Sequence, residues 1–312
     1  MGRVDVGRPP SARAARTDPL QLVVLGLLVT VPLVWDPRAG HPGSRPKYVV
    51  LLVGGVALGG LLALRPSVLS GNRLRWPVLA LLASTVVSAA ASAHPRTALR
   101  GFPGSYDGLW AALAFGAVFF AAAAAFSETR QVRRALTVLW FGAGTVVLAF
   151  GTAQVADRLV APGGWDWGRP SVSPRTIGST LGNPNDVAAF LAVLLPIGVV
   201  LGALGGPRVR LALAATGALA VAQLGITSSR GGLLAALAGL ATLAVLLRRQ
   251  LSPYRAPLLA VVSGALALAL VAALAGGAAG VSKRGLGSVG TMGAGSTADL
   301  RREVWSAAWR VA

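Results

Sequence analysis

Two short runs hold the groups that could bind an anion. The first, Arg175-Thr-Ile-Gly-Ser-Thr-Leu-Gly-Asn-Pro-Asn-Asp186, closes a long polar stretch and opens an apolar one. Asn183 suits the N-cap of a helix, where its side-chain oxygen would accept from the amide of Asp186, and Pro184 at the first helical position has no amide to leave unpaired. Asp186 then falls in the first turn, where the helix dipole favours an acid. Pro196, further along, removes one backbone hydrogen bond and predicts a kink of the kind that lines cavities. The second run, Thr227-Ser-Ser-Arg-Gly-Gly232, joins two apolar segments in a turn so short that Arg230 must sit at a membrane surface or slightly within it. A guanidinium there is costly without a partner. Ser229 and its neighbouring hydroxyls can cap the next helix, and helix N-terminal amides together with a fork-shaped donor make an anion site. Taken alone, each run also has a plainer reading: a well-capped helix start for Asn183 to Asp186, and a snorkelling anchor for Arg230.

The elements that must position these groups follow from composition. Of 312 residues, 54% are hydrophobic and only 12% charged, against roughly 25% charged in soluble domains. An all-α, polytopic integral membrane protein is expected. The formal net charge of +19 is accounted for by the positive-inside rule and by anionic lipids, so membrane lipids and no nucleic acid are the expected partners. Cysteine is absent, which removes disulfides, thiolate metal sites and a cysteine nucleophile. His41 and His94 alone supply too few ligands for zinc, and each sits beside a proline in a short loop. No metal and no cofactor are expected.

Residues 1 to 19 carry Arg3, Arg8, Arg13 and Arg16 among prolines and read as a basic cytoplasmic tail. Apolar runs follow at about 20–35, 48–64, 76–93, 108–126, 135–156, 185–205, 211–226, 231–247 and 257–281, so that 20–281 forms a transmembrane domain of about nine helices. With the N-terminus inside, the inner segments hold 15 Lys and Arg and the outer loops before 282 hold 9. The bias favours that orientation and a multi-pass cell-membrane location. It places 100–108, loop 157–182, 227–232 and everything after 281 on the outer face. Trp165 and Trp167 suit loop 157–182 to the headgroup region. The glycines of 99–108 read as a tight turn. Residues 282–312 open with a Gly-rich stretch and then a helical pattern in which Arg301, Trp305 and Trp309 share a face, suited to lying on the membrane.

The stretch from Arg175 to Pro196 resembles the signature of the O-antigen ligase and O-antigen polymerase superfamily, in which an Arg, a Gly-x-x-x-Asn-Pro-Asn turn and an apolar helix with a later Pro follow in this order. Leu99 to Gly108 resembles that family's Gly-rich, acidic-Gly approach to a span, with Ser105 where a basic residue is expected. Ser229-Arg230-Gly231 resembles its outer turn, and Arg301 four residues before Trp305 resembles the start of its large extracytoplasmic loop. The resemblance implies a GT-C-like fold and transfer of a glycan from an undecaprenyl-pyrophosphate carrier to an acceptor hydroxyl on a glycan, lipid or protein, with neither metal nor cofactor. It maps catalytic roles at the pyrophosphate onto Arg230 and Arg301, and substrate contacts onto Arg175, Asn183, Asn185 and Ser229. Family members continue past the equivalent of Ala312 with a catalytic His and further spans. The chain is therefore expected to be the N-terminal part of such a protein. Two other classes fit the composition: a transporter of a small anion, which should show charges within the spans and an inverted repeat, and a non-catalytic membrane scaffold.

Overall fold

The computed structural model describes residues 18–36, 44–65, 74–102, 106–160, 178–227 and 229–246, apart from the side chains of 158–160 and 230. Among these residues there are helices and no strands. In chain order they are α1 (Pro19–Leu33), α2 (Ser44–Ala63), α3 (Arg75–Ala90), α4 (Pro95–Arg100), α5 (Leu109–Ala125), α6 (Thr129–Val138), a π-helical segment (Leu139–Gly144), α7 (Thr145–Val160), a 3-10 turn (Ser179–Leu181), α8 (Pro184–Leu204), α9 (Pro207–Ile226) and α10 (Arg230–Leu246). Eight of the nine apolar runs are thus helical. The run 257–281 lies outside the described residues, as do the basic tail up to 17 and the stretch 282–312. Among the described residues, four helical runs are long and apolar enough to cross a membrane: Ser44–Ala63, Thr129–Asp157, Pro184–Leu204 and Pro207–Ile226. α1, α3, α5 and most of α10 are shorter apolar helices.

The chain divides into two compact units, residues 1–31 with 44–139, and residues 32–43 with 140–312. In the first, Leu20, Val24 and Leu27 of α1 pack with Leu58 and Leu62 of α2 and with Ala121 and Ala125 of α5. Asp18 caps α1 by accepting from the Leu20 amide at 3.0 Å, and accepts from Arg65 Nη1 just past α2 at 2.9 Å. Gln21 Nε2 donates to Ala125 O at 2.8 Å. The start of α1 and the ends of α2 and α5 therefore share one end of this unit. Along α2 and α5, a Cβ at Gly55 would come within 2.6 Å of Ala114 Cβ, the small-on-small contact that lets helix backbones approach in lipid. The described parts of the stretch 99–108, residues 99–102 and 106–108, close on one another, and the Tyr106 amide donates to Phe102 O at 3.1 Å. Gly101, at φ +82°, closes against the backbone of Tyr106 to Gly108, and Tyr106 itself takes φ +53° while its ring stacks on Tyr48 at 5.0 Å.

α8 is the centre of the second unit, burying Val187, Ala188, Leu191, Ala192, Leu194, Leu195, Gly198 and Leu201. It continues through Pro196 as one helix from Pro184 to Leu204. α10 lies along one side of it: a Cβ at Gly232 would collide with Ala188, and one at Gly239 would come within 3.2 Å of Pro196 Cγ. These two contacts, about two turns apart on both helices, run in the same order along each chain segment, so α8 and α10 are parallel. On another side, Trp140 of the π-helical segment is fully buried with its ring over Gly198, and its indole N–H donates to Thr216 Oγ1 of α9 at 3.1 Å. π-turns are rare and widen a helix locally; here the widened turn carries the largest fully buried side chain of the described residues.

Candidate functional site: two parallel helix N-termini

Because α8 and α10 run parallel and Gly232 sits on Ala188, the first turns of both helices meet at one end of the unit. Two stretches separated by more than forty residues in sequence are thereby brought together: Asn183-Pro184-Asn185 and Ser229-Arg230-Gly231. Asn183 is the N-cap of α8, in extended backbone conformation. Its Oδ1 accepts from the Asn185 amide at 2.9 Å, not from Asp186 as the sequence led us to expect. The Asp186 amide instead donates to the Asn183 carbonyl at 3.1 Å. Asn183, Asn185 and Asp186 are all exposed.

Ser229 caps α10 as expected, its Oγ accepting from the Gly232 amide at 3.3 Å and its carbonyl from Leu233 at 3.0 Å. Thr227 is buried behind it, and Thr227 Oγ1 donates to Leu224 O at 2.7 Å. Gly231 is exposed, and a Cβ placed there would meet nothing within 4 Å. Among the described residues, the first turn of α10 is therefore uncovered on the side of Gly231. Arg230 is the first residue of α10; its side chain lies outside the described residues, as do Arg175, Arg301 and Arg302 altogether.

The two helix ends differ chemically. Asp186 sits in the first turn of α8 and engages a partner of its own. Its negative charge offsets the positive end of the α8 dipole. α10 has no acid in its first turn, so its amide end, with Arg230, is the better seat for an anion. The α8 end offers two exposed neutral carboxamides, each able to donate and accept.

Below this end lies a buried polar cluster that sequence reasoning passed over. The Gly178–Gly182 turn folds down against α7: the Ser179 amide donates to Gln154 Oε1 at 2.8 Å, and Ser179 Oγ to Val147 O at 2.7 Å. Thr180 Oγ1 donates to Pro32 O at 2.9 Å. This end of loop 157–182 is therefore buried within the unit, whereas the sequence placed the whole loop on the headgroup surface. Nearby, Gln223 of α9 is only 1% exposed; its Nε2 donates to Leu148 O at 2.6 Å and to Thr152 Oγ1 at 3.0 Å, while its Oε1 has no hydrogen-bond partner among the described residues. That oxygen lies against Gly151, where a Cβ would come within 2.6 Å of it. The signal was present: two glutamines inside apolar runs, of the kind that within a membrane face the protein interior and find partners. Compared with protein-family models, curated proteins and solved structures, the chain matches none.

Proposed function

We propose that the chain belongs to a membrane glycosyltransferase of the O-antigen ligase and polymerase type, which moves a glycan from an undecaprenyl-pyrophosphate carrier to an acceptor hydroxyl at the outer membrane face. The observation that carries this is the meeting of the α8 and α10 N-termini. It joins Asn183 and Asn185 to the Ser229-Arg230-Gly231 turn, two of the pieces whose sequence resembles that superfamily. As the bond from the anomeric carbon to the carrier's phosphate oxygen breaks, negative charge collects on the leaving pyrophosphate. The amide end of α10 and the Arg230 guanidinium stabilise that charge, and fixed donors of this kind need no reorganisation as it develops. The Asn183 and Asn185 carboxamides suit sugar hydroxyls. We assign Arg175 and Arg301 to the same face from sequence alone. Nine spans, a GT-C-like arrangement and an internal N-terminus in the cell membrane belong to the same proposal.

Reconstitution with a purified undecaprenyl-pyrophosphate glycan and an acceptor tests the activity directly; flux of a small anion without glycan transfer would replace it with a transporter. Topology is tested separately. The chain has no native cysteine, so single cysteines can be labelled cleanly with an impermeant thiol reagent. Ser171→Cys and Ser288→Cys should react in intact cells and Ser67→Cys should not. Reaction at position 67 without permeabilisation would reverse the orientation and every outer-face assignment.

A further inference from the structure

The Gly178–Gly182 turn is built in a way that its sequence does not require. Ser179 is 2% exposed and takes φ +47°, a left-handed conformation that non-glycine residues seldom adopt and that costs on the order of 1–3 kcal/mol unless the surroundings fix it. Gly182 follows at φ +81°, and its amide donates to Gly178 O at 2.8 Å. Asn183, the cap of α8, comes next. Two buried hydrogen bonds and one partly buried one fix the strained turn. The Ser179 amide and hydroxyl grip α7 at Gln154 and Val147, and the Thr180 hydroxyl grips Pro32 O. The grip is well inside the bundle, ~9–20 Å along α7 from its end at a rise of about 1.5 Å per residue. A glutamine in that apolar layer carries a desolvation cost that its bond to Ser179 offsets.

We infer that Gln154 is a positioning residue: acting through the Ser179 amide, it holds the Gly178–Gly182 turn rigid and so fixes where Asn183 and Asn185 present their carboxamides beside the α10 N-terminus. This rests on the glycan-transfer reading only for what the carboxamides contact. The rigidity itself is independent of it. Gln154 touches no substrate, and its effect on transfer is indirect. A displacement of about 1 Å at a substrate-positioning group can lower a rate on the order of a hundredfold, so the loss on Gln154→Leu should be of that size.

The test uses the cysteine-free chain in liposomes, with a nitroxide attached through Asn185→Cys and controls at Leu211→Cys and Val193→Cys, both exposed positions in the same unit. In the parent, the label at 185 should give the broadened spectrum of a restrained site. Gln154→Leu should sharpen that spectrum and leave both controls unchanged. Gln154→Glu keeps an acceptor oxygen for the Ser179 amide and should restore the restraint. Where Gln154→Leu does not reach the membrane, Gln154→Asn withdraws the acceptor by one methylene and should sharpen the same line. Transfer is measured in parallel on unlabelled Gln154→Leu and Gln154→Glu, and should fall in the first and recover in the second. An unchanged spectrum at 185 in Gln154→Leu or Gln154→Asn overturns the inference, as does equal sharpening at all three positions. If the spectra behave as expected but a parent carrying the whole outer loop with its catalytic His transfers no glycan, the glycan reading fails while the positioning of the turn stands.

Discussion

On the proposed reading, Arg230→Ala in a protein that carries the whole outer loop should lower glycan transfer on the order of a hundredfold, the typical effect of removing one donor that faces developing charge, and Arg301→Ala should do the same. Arg230 opens α10 beside the α8 N-cap. Arg301 opens the helical pattern in which Trp305 and Trp309 share its face, and on the proposed reading both guanidinium groups bind one pyrophosphate at the outer face. By helical spacing position 302 falls about 100° away from that face, so Arg302→Ala should be mild. Lys at 230 or 301 should rescue only in part, because a point charge cannot reproduce two-point contact with phosphate oxygens. Groups acting as one clamp are not additive, so the double Ala variant should be little worse than either single one. The measurement is transfer rate in membranes at matched expression, with carrier binding alongside. Near-normal transfer by Arg230→Ala, together with a loss of stability, would mean that Arg230 is only a helix anchor.

The second large effect is on stability. Gly198→Ala should lower the thermal midpoint in detergent by several degrees, because the new methyl would enter the Trp140 ring. Overpacking of this kind typically costs about 1–3 kcal/mol. The ring cannot swing aside cheaply: it is fully buried, and its N–H is held by Thr216, whose own hydroxyl donates to Ala212 O at 2.8 Å. Trp140→Leu alone should also destabilise, by vacating volume and leaving the Thr216 hydroxyl one partner short. Combined, the two substitutions relieve each other. The double variant should be more stable than the sum of the singles by roughly 0.5–3 kcal/mol, the range seen for residues in direct contact. A Gly198→Ala protein as stable as the parent, or strict additivity, would show that the helices shift apart instead of meeting at this contact.

Hydropathy made the helices legible. Each apolar run within the described residues became one, since a backbone without water must satisfy itself internally. It could not show where a helix is widened: the π-turn at Leu139–Gly144 carries Trp140 onto Gly198, a contact with another helix that a local apolar pattern does not record. The start of α6 was also hidden, because Glu128 and Gln131 close a reciprocal capping box in a polar stretch that an apolar count skips. At the candidate site, the caps at Asn183 and Ser229 were legible because capping is local. Which amide Asn183 takes was not, since an N-cap side chain can reach either of two. That the two caps meet depends on Gly232 lying against Ala188, a choice of helix neighbour that periodicity does not encode. Gln154 and Gln223 were overlooked because a search of the spans for charges passes over neutral amides, although burial makes a neutral amide nearly as demanding of a partner.

Pro196 leaves the Ala192 carbonyl without its helical donor, and that carbonyl faces α10 at Gly239, where a Cβ would lie 3.9 Å from the oxygen and 3.2 Å from the proline ring. Alanine at 239 brings crowding and nothing in return. Serine brings the same crowding with a hydroxyl that can swing to within about 2.8 Å of the waiting oxygen. The order of tolerance at this position therefore runs against hydropathy, with serine above alanine and alanine above valine. A site in an apolar helix that accepts a polar side chain more readily than a methyl group would look anomalous in a mutational scan, and the cause would lie on the neighbouring helix.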